Sequence, residues 1–134
     1  MKLVGSLTVA MLALPLSVDA DPAMECGDAT SQVEIAACVS ETSAAVDSAV
    51  ETTLSFAMSA AAELDEVTQR DVAVPALEKA QAAWSAYRDA HCDYVGAGFG
   101  GGSGTGIAIN SCRIELGRAR GVSNADSRIE PLVP

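Results

Sequence analysis

Four cysteines, Cys26, Cys38, Cys92 and Cys112, constrain this 134-residue chain more than any other feature, because little else in it builds a dense core. Alanine, serine and threonine fill many positions where leucine would pack better, and aromatics make up only 4% of the residues. Burying a large aliphatic side chain is worth about 1.5–3 kcal/mol, and an alanine contributes far less. Exported domains with thin cores are usually reinforced by disulfides. All four cysteines lie beyond an apolar N-terminal leader, so two bridges are expected. Zinc is the competing use of cysteine. It is disfavoured because no CxxC or paired-His spacing exists and the single histidine, His91, sits beside Cys92.

The leader is read as a secretory signal peptide over residues 1–20. Lys2 supplies a positive start, Leu3 to Leu16 an apolar stretch, and Val18-Asp19-Ala20 the small residues of a cleavage site. The stretch is too short to span a bilayer as a helix. Cleavage after Ala20 removes one base and one acid, so the exported chain keeps the net charge of −10. So acidic a domain repels nucleic acid and anionic membranes, and it favours cationic partners through long-range steering. Plain solubility is the other use of such a surface. The expected location is periplasmic or secreted.

Beyond the leader, the hydrophobic pattern is helical. Ser31-Gln32-Val33-Glu34 fits a capping box, in which serine and glutamate satisfy each other's backbone N–H groups at a helix start. Ile35, Val39, Thr42, Val46, Ala49, Thr53 and Phe56 then recur at steps of four and three, predicting a first helix to about Leu64. Asp65 to Val74 reads as a connection, and Pro75 suits the first turn of a second helix. There Leu77, Ala80, Trp84, Tyr87 and His91 form a stripe that ends near Tyr94. Seven of the eleven residues from Gly96 to Gly106 are glycine, too flexible a composition for helix or strand. Ile109, Cys112, Leu116 and Ala119 define a shorter third helix, with Gly121 as its stop. Residues 123–134 are expected to be a loosely held tail.

The expected fold is therefore all-α: a small three-helix, disulfide-stapled domain over residues 21–122. It has an antiparallel helical hairpin and a Gly-rich loop before the third helix. Antiparallel packing of the first two helices brings Cys92 towards Cys26. Cys38 and Cys112 each lie about two turns into their helices. Of three possible pairings, Cys26–Cys92 with Cys38–Cys112 is the one this geometry favours.

Candidate chemistry is sparse. The glycine loop lacks the GK[S/T] of a phosphate-binding loop, and Ser103 between glycines is not in a GxSxG setting. His91 has no second ligand or free nucleophile beside it, and no carboxylate pair stands in an apolar setting that would raise one pKa. No catalytic site and no cofactor are expected. Trp84 and Tyr87 are read as core anchors, with Arg88 four residues after Trp84 and placed to stack on the indole. Arg88 and Asp89, adjacent on a helix, should diverge rather than pair. Asp89 and Asp93 share a helical face beside the loop. With Ser103 they form a candidate partner-binding surface for a cationic protein.

Three segments resemble the LprI-like lysozyme inhibitor domain family. Ser31 to Cys38 is similar to that family's capped opening helix, with a cysteine two turns in. Ala80 to Cys92, with Trp84, Tyr87-Arg88-Asp89 and Cys92, resembles its central signature. The glycine-rich segment followed by Cys112 and Leu116 resembles its closing helix. The resemblance implies an exported, disulfide-bonded helical domain of a kind that binds and inhibits a lysozyme-type glycoside hydrolase. The acidic charge and the flexible loop, read from the residues themselves, are then expected to dock at the enzyme's cleft. The alternative is a non-inhibitory structural or adaptor module of the cell envelope.

Overall fold

The computed structural model describes residues 21–126; the leader at 1–20 and residues 127–134 lie outside the described residues. A short 3-10 turn (Pro22–Cys26) leads into three helices, α1 (Gln32–Thr68), α2 (Ala73–Ala97) and α3 (Gly104–Asp126). The all-α expectation holds, with no strand among the described residues.

The start of α1 is the capping box read from the sequence. The Glu34 N–H donates to Ser31 Oγ at 3.3 Å, and the Ser31 N–H donates to Glu34 Oε2 at 3.1 Å. The same carboxylate also accepts from the Thr30 N–H and hydroxyl, and this holds Glu34 below the ordinary carboxylate range, Thr30 contributing most. At 1.5 Å per residue the 37-residue helix is about 55 Å long. It ends four residues later than its apolar pattern suggested, where Gln69 adopts the left-handed conformation (φ 54°).

The connection to α2 shrinks to residues 69–72 because Asp65, still on α1, caps the next helix. Its carboxylate accepts from the backbone N–H groups of Val72, Ala73 and Val74 at 2.8–3.1 Å. Those bonds, led by Val74 and then Ala73, hold Asp65 below the usual carboxylate range. They serve donors that a helix start otherwise leaves open, and Val72 itself offers no side-chain cap.

Helices α1 and α3 run parallel and make the main packing seam, with α2 antiparallel to both. Val39 and Ile114, each wholly buried, meet Cys26 in the core, and Ile35, Cys38, Val46 and Ile107 pack around them. Further along, Gly117 faces Val46 and Val50, and a Cβ there would overlap the Val46 side chain. This close approach moves the buried line of α1 to Val39, Ser43, Val46, Val50, Thr53 and Ala57, leaving Ala49 and Phe56 exposed. Both lines repeat every seven residues; the buried one takes Ser43, Val50 and Ala57 where the apolar pattern suggested Thr42, Ala49 and Phe56, a constant displacement of one residue around the helix.

The disulfides correct the expected pairing. They join Cys26 to Cys38 and Cys92 to Cys112, not Cys26 to Cys92 and Cys38 to Cys112. The 3-10 turn is the reason: it folds the leading segment back onto the first turns of its own helix and brings the Cα atoms of Cys26 and Cys38 to 6.1 Å. Cys92 and Cys112 lie at similar distances either side of the α2–α3 turn, so they face each other across that seam.

Two glycine readings change as well. Gly96 belongs to α2, and Gly104 and Gly106 to α3, so the irregular segment is only residues 98–103. At Gly96 the helix lies against Ile109, where a Cβ would collide, so close packing selects glycine there. Within the turn, Gly100 (φ 62°) and Gly101 (φ 79°) adopt backbone that side-chain-bearing residues rarely take. Gly121 does not stop α3. The helix continues to Asp126 and buries Asn124 at Thr53, so residues 123–126 are helical rather than tail.

Candidate functional site

The Ala80–Cys92 segment lies on α2 and builds a polar seam against α3. Trp84 is half-buried, with the Arg88 guanidinium 4.8 Å from its ring centre and that of Arg120 at 5.7 Å. The expected Arg88–Trp84 stack is present. Arg88 also donates to Asp47 of α1 at 2.6 Å, a tie across 41 residues that no local spacing reveals. Its side chain is 15% exposed against 43% for Asp47, so the bond is worth about 1.5 kcal/mol, the low end for a charged hydrogen bond. Arg120 donates to Gln81 at 3.0 Å.

Two expectations are corrected here. Tyr87 is 55% exposed and is no core anchor: it stacks on His91, one turn further along the outer face of α2. Arg88 and Asp89 do not fully diverge, since Arg88 Nε lies 3.7 Å from Asp89 Oδ1. Asp89 also faces Arg113 of α3 at 3.6 Å, so its charge is partly compensated. Asp93 is exposed and makes no ion pair among the described residues. Ser103 is exposed immediately before α3. The two aspartates share a face, as expected. No hydrogen bond among the described residues ties Ser103 to either.

Sequence reasoning missed a groove at the same end of the bundle. The 3-10 turn, the start of α1, the end of α2 and the first half of α3 enclose about 520 Å³. Ile35, Val95, Phe99, Ile107 and Leu116 form its apolar walls, with Met24 at the lip and Asp21, His91 and Glu115 on the rim. Ser111 lines it too, and its buried Oγ has no hydrogen-bond partner among the described residues. Behind the 3-10 turn lies an acidic notch of about 450 Å³, lined by Glu25, Asp28 and Glu34. Arg118 of α3 donates to both oxygens of Glu25 at 2.6 and 2.8 Å, tying the turn to the bundle. That contact lowers the Glu25 pKa and raises that of Arg118.

Four of the five aromatic side chains are exposed to roughly half or more: Phe56, Tyr87, Tyr94 and Phe99. Tyr87, His91 and Tyr94 form one stripe on α2, roughly half a turn round from Asp89 and Asp93. Large apolar side chains left outside in this way mark binding surfaces more often than catalytic ones. No cluster of three metal-ligating side chains occurs among the described residues, and no described helix is long and apolar enough to cross a membrane.

The fold thus defines a small, disulfide-stapled helical domain of three helices. Residues 24–121 match the family model for the lysozyme inhibitor LprI, and the chain belongs to that family. It is also 33% identical over 104 residues to an uncharacterized protein of Rhizobium meliloti (strain 1021), covering 74% of this chain and 75% of that one. No solved structure matches the chain significantly. The family is one of inhibitors, that is, of binding proteins rather than enzymes.

Proposed function

We propose that this chain is an exported binding protein that inhibits a lysozyme-type glycoside hydrolase. The observation that carries the reading is the family match over residues 24–121, which hold all four cysteines. The charge of −10 supports it, because an acidic domain is steered towards a basic enzyme surface. Docking runs through the end of the bundle that holds the 98–103 turn. There Asp93 and Ser103 meet the basic rim of the enzyme's cleft, and Asp89 adds what charge Arg113 leaves it. Tyr94 and Phe99, 76% and 54% exposed, supply the apolar contact that charge alone lacks. The two bridges and the apolar leader fit a site of action outside the cytoplasm, in the periplasm or the medium.

The test is lysis of a peptidoglycan suspension by a panel of lysozymes, with the oxidised chain from residue 21 onward added at rising concentration. Dose-dependent inhibition, with association slowed by added salt, is expected. Substituting Asp93 by Asn should lower potency without altering the circular dichroism. Absence of inhibition across the panel, with the fold intact, transfers the reading to a non-inhibitory envelope adaptor.

A further inference from the structure

We propose that the apolar groove and the acidic notch beside it are one docking site, made for a protein segment in which a large apolar side chain stands next to lysine or arginine. The proposal rests on the binding role above and specifies which part of the partner is held. The groove has the size of a ligand site, which typically runs to about 300–1,000 Å³. Its walls are apolar, and neither lysine nor arginine lines it. Met24, 75% exposed, and Phe99 stand uncovered at its edge. Ser111 is 9% exposed, and its Oγ lacks a hydrogen-bond partner among the described residues, as expected where an occupant supplies a polar group.

Charge decides what kind of occupant fits. Asp21 and Glu115 border the groove, and Glu25, Asp28 and Glu34 line the notch. Against these five carboxylates stands Arg118, whose guanidinium Glu25 already holds. A fatty acid or phosphate-bearing ligand would bring negative charge into this field, and a neutral apolar molecule would leave the notch unused. A cationic segment with one large apolar residue satisfies both, the apolar side chain in the groove and its basic neighbour across the 3-10 turn. Cys112 lines the groove, and Cys26 and Cys38 line the notch, so a disulfide holds each part in place before the partner arrives.

The probe is a short amidated peptide alternating lysine with leucine, titrated into isotope-labelled oxidised protein and followed by amide NMR shifts. Two counterparts replace leucine with glycine or lysine with glutamate. The lysine–leucine peptide should bind at least about tenfold more tightly than either, shifting amides around Met24, Val95 and Ile107. Ala108→Trp, which fills the groove, and Met24→Lys, at an exposed position that leaves the core alone, should each weaken it about tenfold. Equal binding of the three peptides, or unchanged binding in both variants, overturns the proposal. The same variants go into the lysozyme assay. If the unsubstituted protein inhibits and both variants inhibit equally well, the groove fails and the inhibitory role stands. If it inhibits nothing while the lysine–leucine peptide still binds selectively, the inhibitory role fails and the groove stands.

Discussion

The two ends of the bundle are built by different means. At one end the 3-10 turn, the start of α1, the end of α2 and the start of α3 carry both disulfides, the wholly buried Val39 and Ile114, and the groove. At the other, the α1–α2 turn rests on a carboxylate cap at Asp65 and a left-handed Gln69, with Leu64, Val67 and Val72 exposed. Near the end of α3, Asn124 donates to Thr53 of α1, fifteen residues short of the end of α1 at Thr68. A chain with few large apolar residues has placed its wholly buried ones, and its covalent ties, at the end that holds the groove. The hairpin end is held by hydrogen bonds that water can compete for. Cross-linking follows the groove rather than the length of the helices.

That contrast is open to attack, starting with the largest effect. Reducing both disulfides should cost about 3 kcal/mol per bridge, read as a fall in the denaturant midpoint. Hydrogen exchange should show the loss at the groove end first, and uniform loss along α1 would erase the distinction between the ends. Ile114→Ala should cost about 2–4 kcal/mol, since the residue is wholly buried and its neighbours are pinned. Leu64→Ala, at the exposed hairpin end, should fall within about 0.5 kcal/mol. Gly117→Ala tests the seam between the ends. Overpacking against Val46 at about 1–3 kcal/mol should outweigh the roughly 1 kcal/mol that alanine gains in helix propensity.

The smallest effect is one of pH. The carboxyl of Asp65 titrates below its usual range in the folded chain, so the stability it contributes is present above that range and is lost as pH falls through the lowered value. Protection of the amides at Ala73 and Val74 should therefore weaken below about pH 4. Asp65→Asn should show the weakened state at neutral pH and little further change on acidification. Glu34 is lowered in the same sense at the start of α1, but the Cys26–Cys38 bridge behind it should keep that helix start ordered through the same acid range.

What could be read from the sequence was what acts within a turn or two of helix. Ser31 and Glu34 announce a helix start because their partners are three residues away. The Trp84–Arg88 stack follows from a spacing of four. The features missed all depend on chain that returns from a distance. Asp65 caps a helix seven to nine residues on, and Asp47 meets Arg88 from another helix. The groove exists only once α3 has settled beside the start of α1. Gly121 and Gly96, both within helices, belong with these features. A glycine read locally signals a break, whereas in a packed seam it marks where two helices come too close for a side chain. Helical spacing alone suggests a core position for Tyr87, but this aromatic stripe faces solvent instead.

The disulfide pairing has a consequence for how the chain is joined together. Each bridge closes a short span, 12 residues for one and 20 for the other, and neither connects α1 to α2 or α3. The molecule is therefore two internally cross-linked pieces, the 3-10 turn with α1 and the α2–α3 pair, joined by a single strand of backbone at residues 69–72. One proteolytic cut there would leave fragments held only by their packing, free to part in denaturant without any reductant. Each fragment would carry its own finished bridge, so the two could be oxidised apart and then mixed to rebuild the bundle.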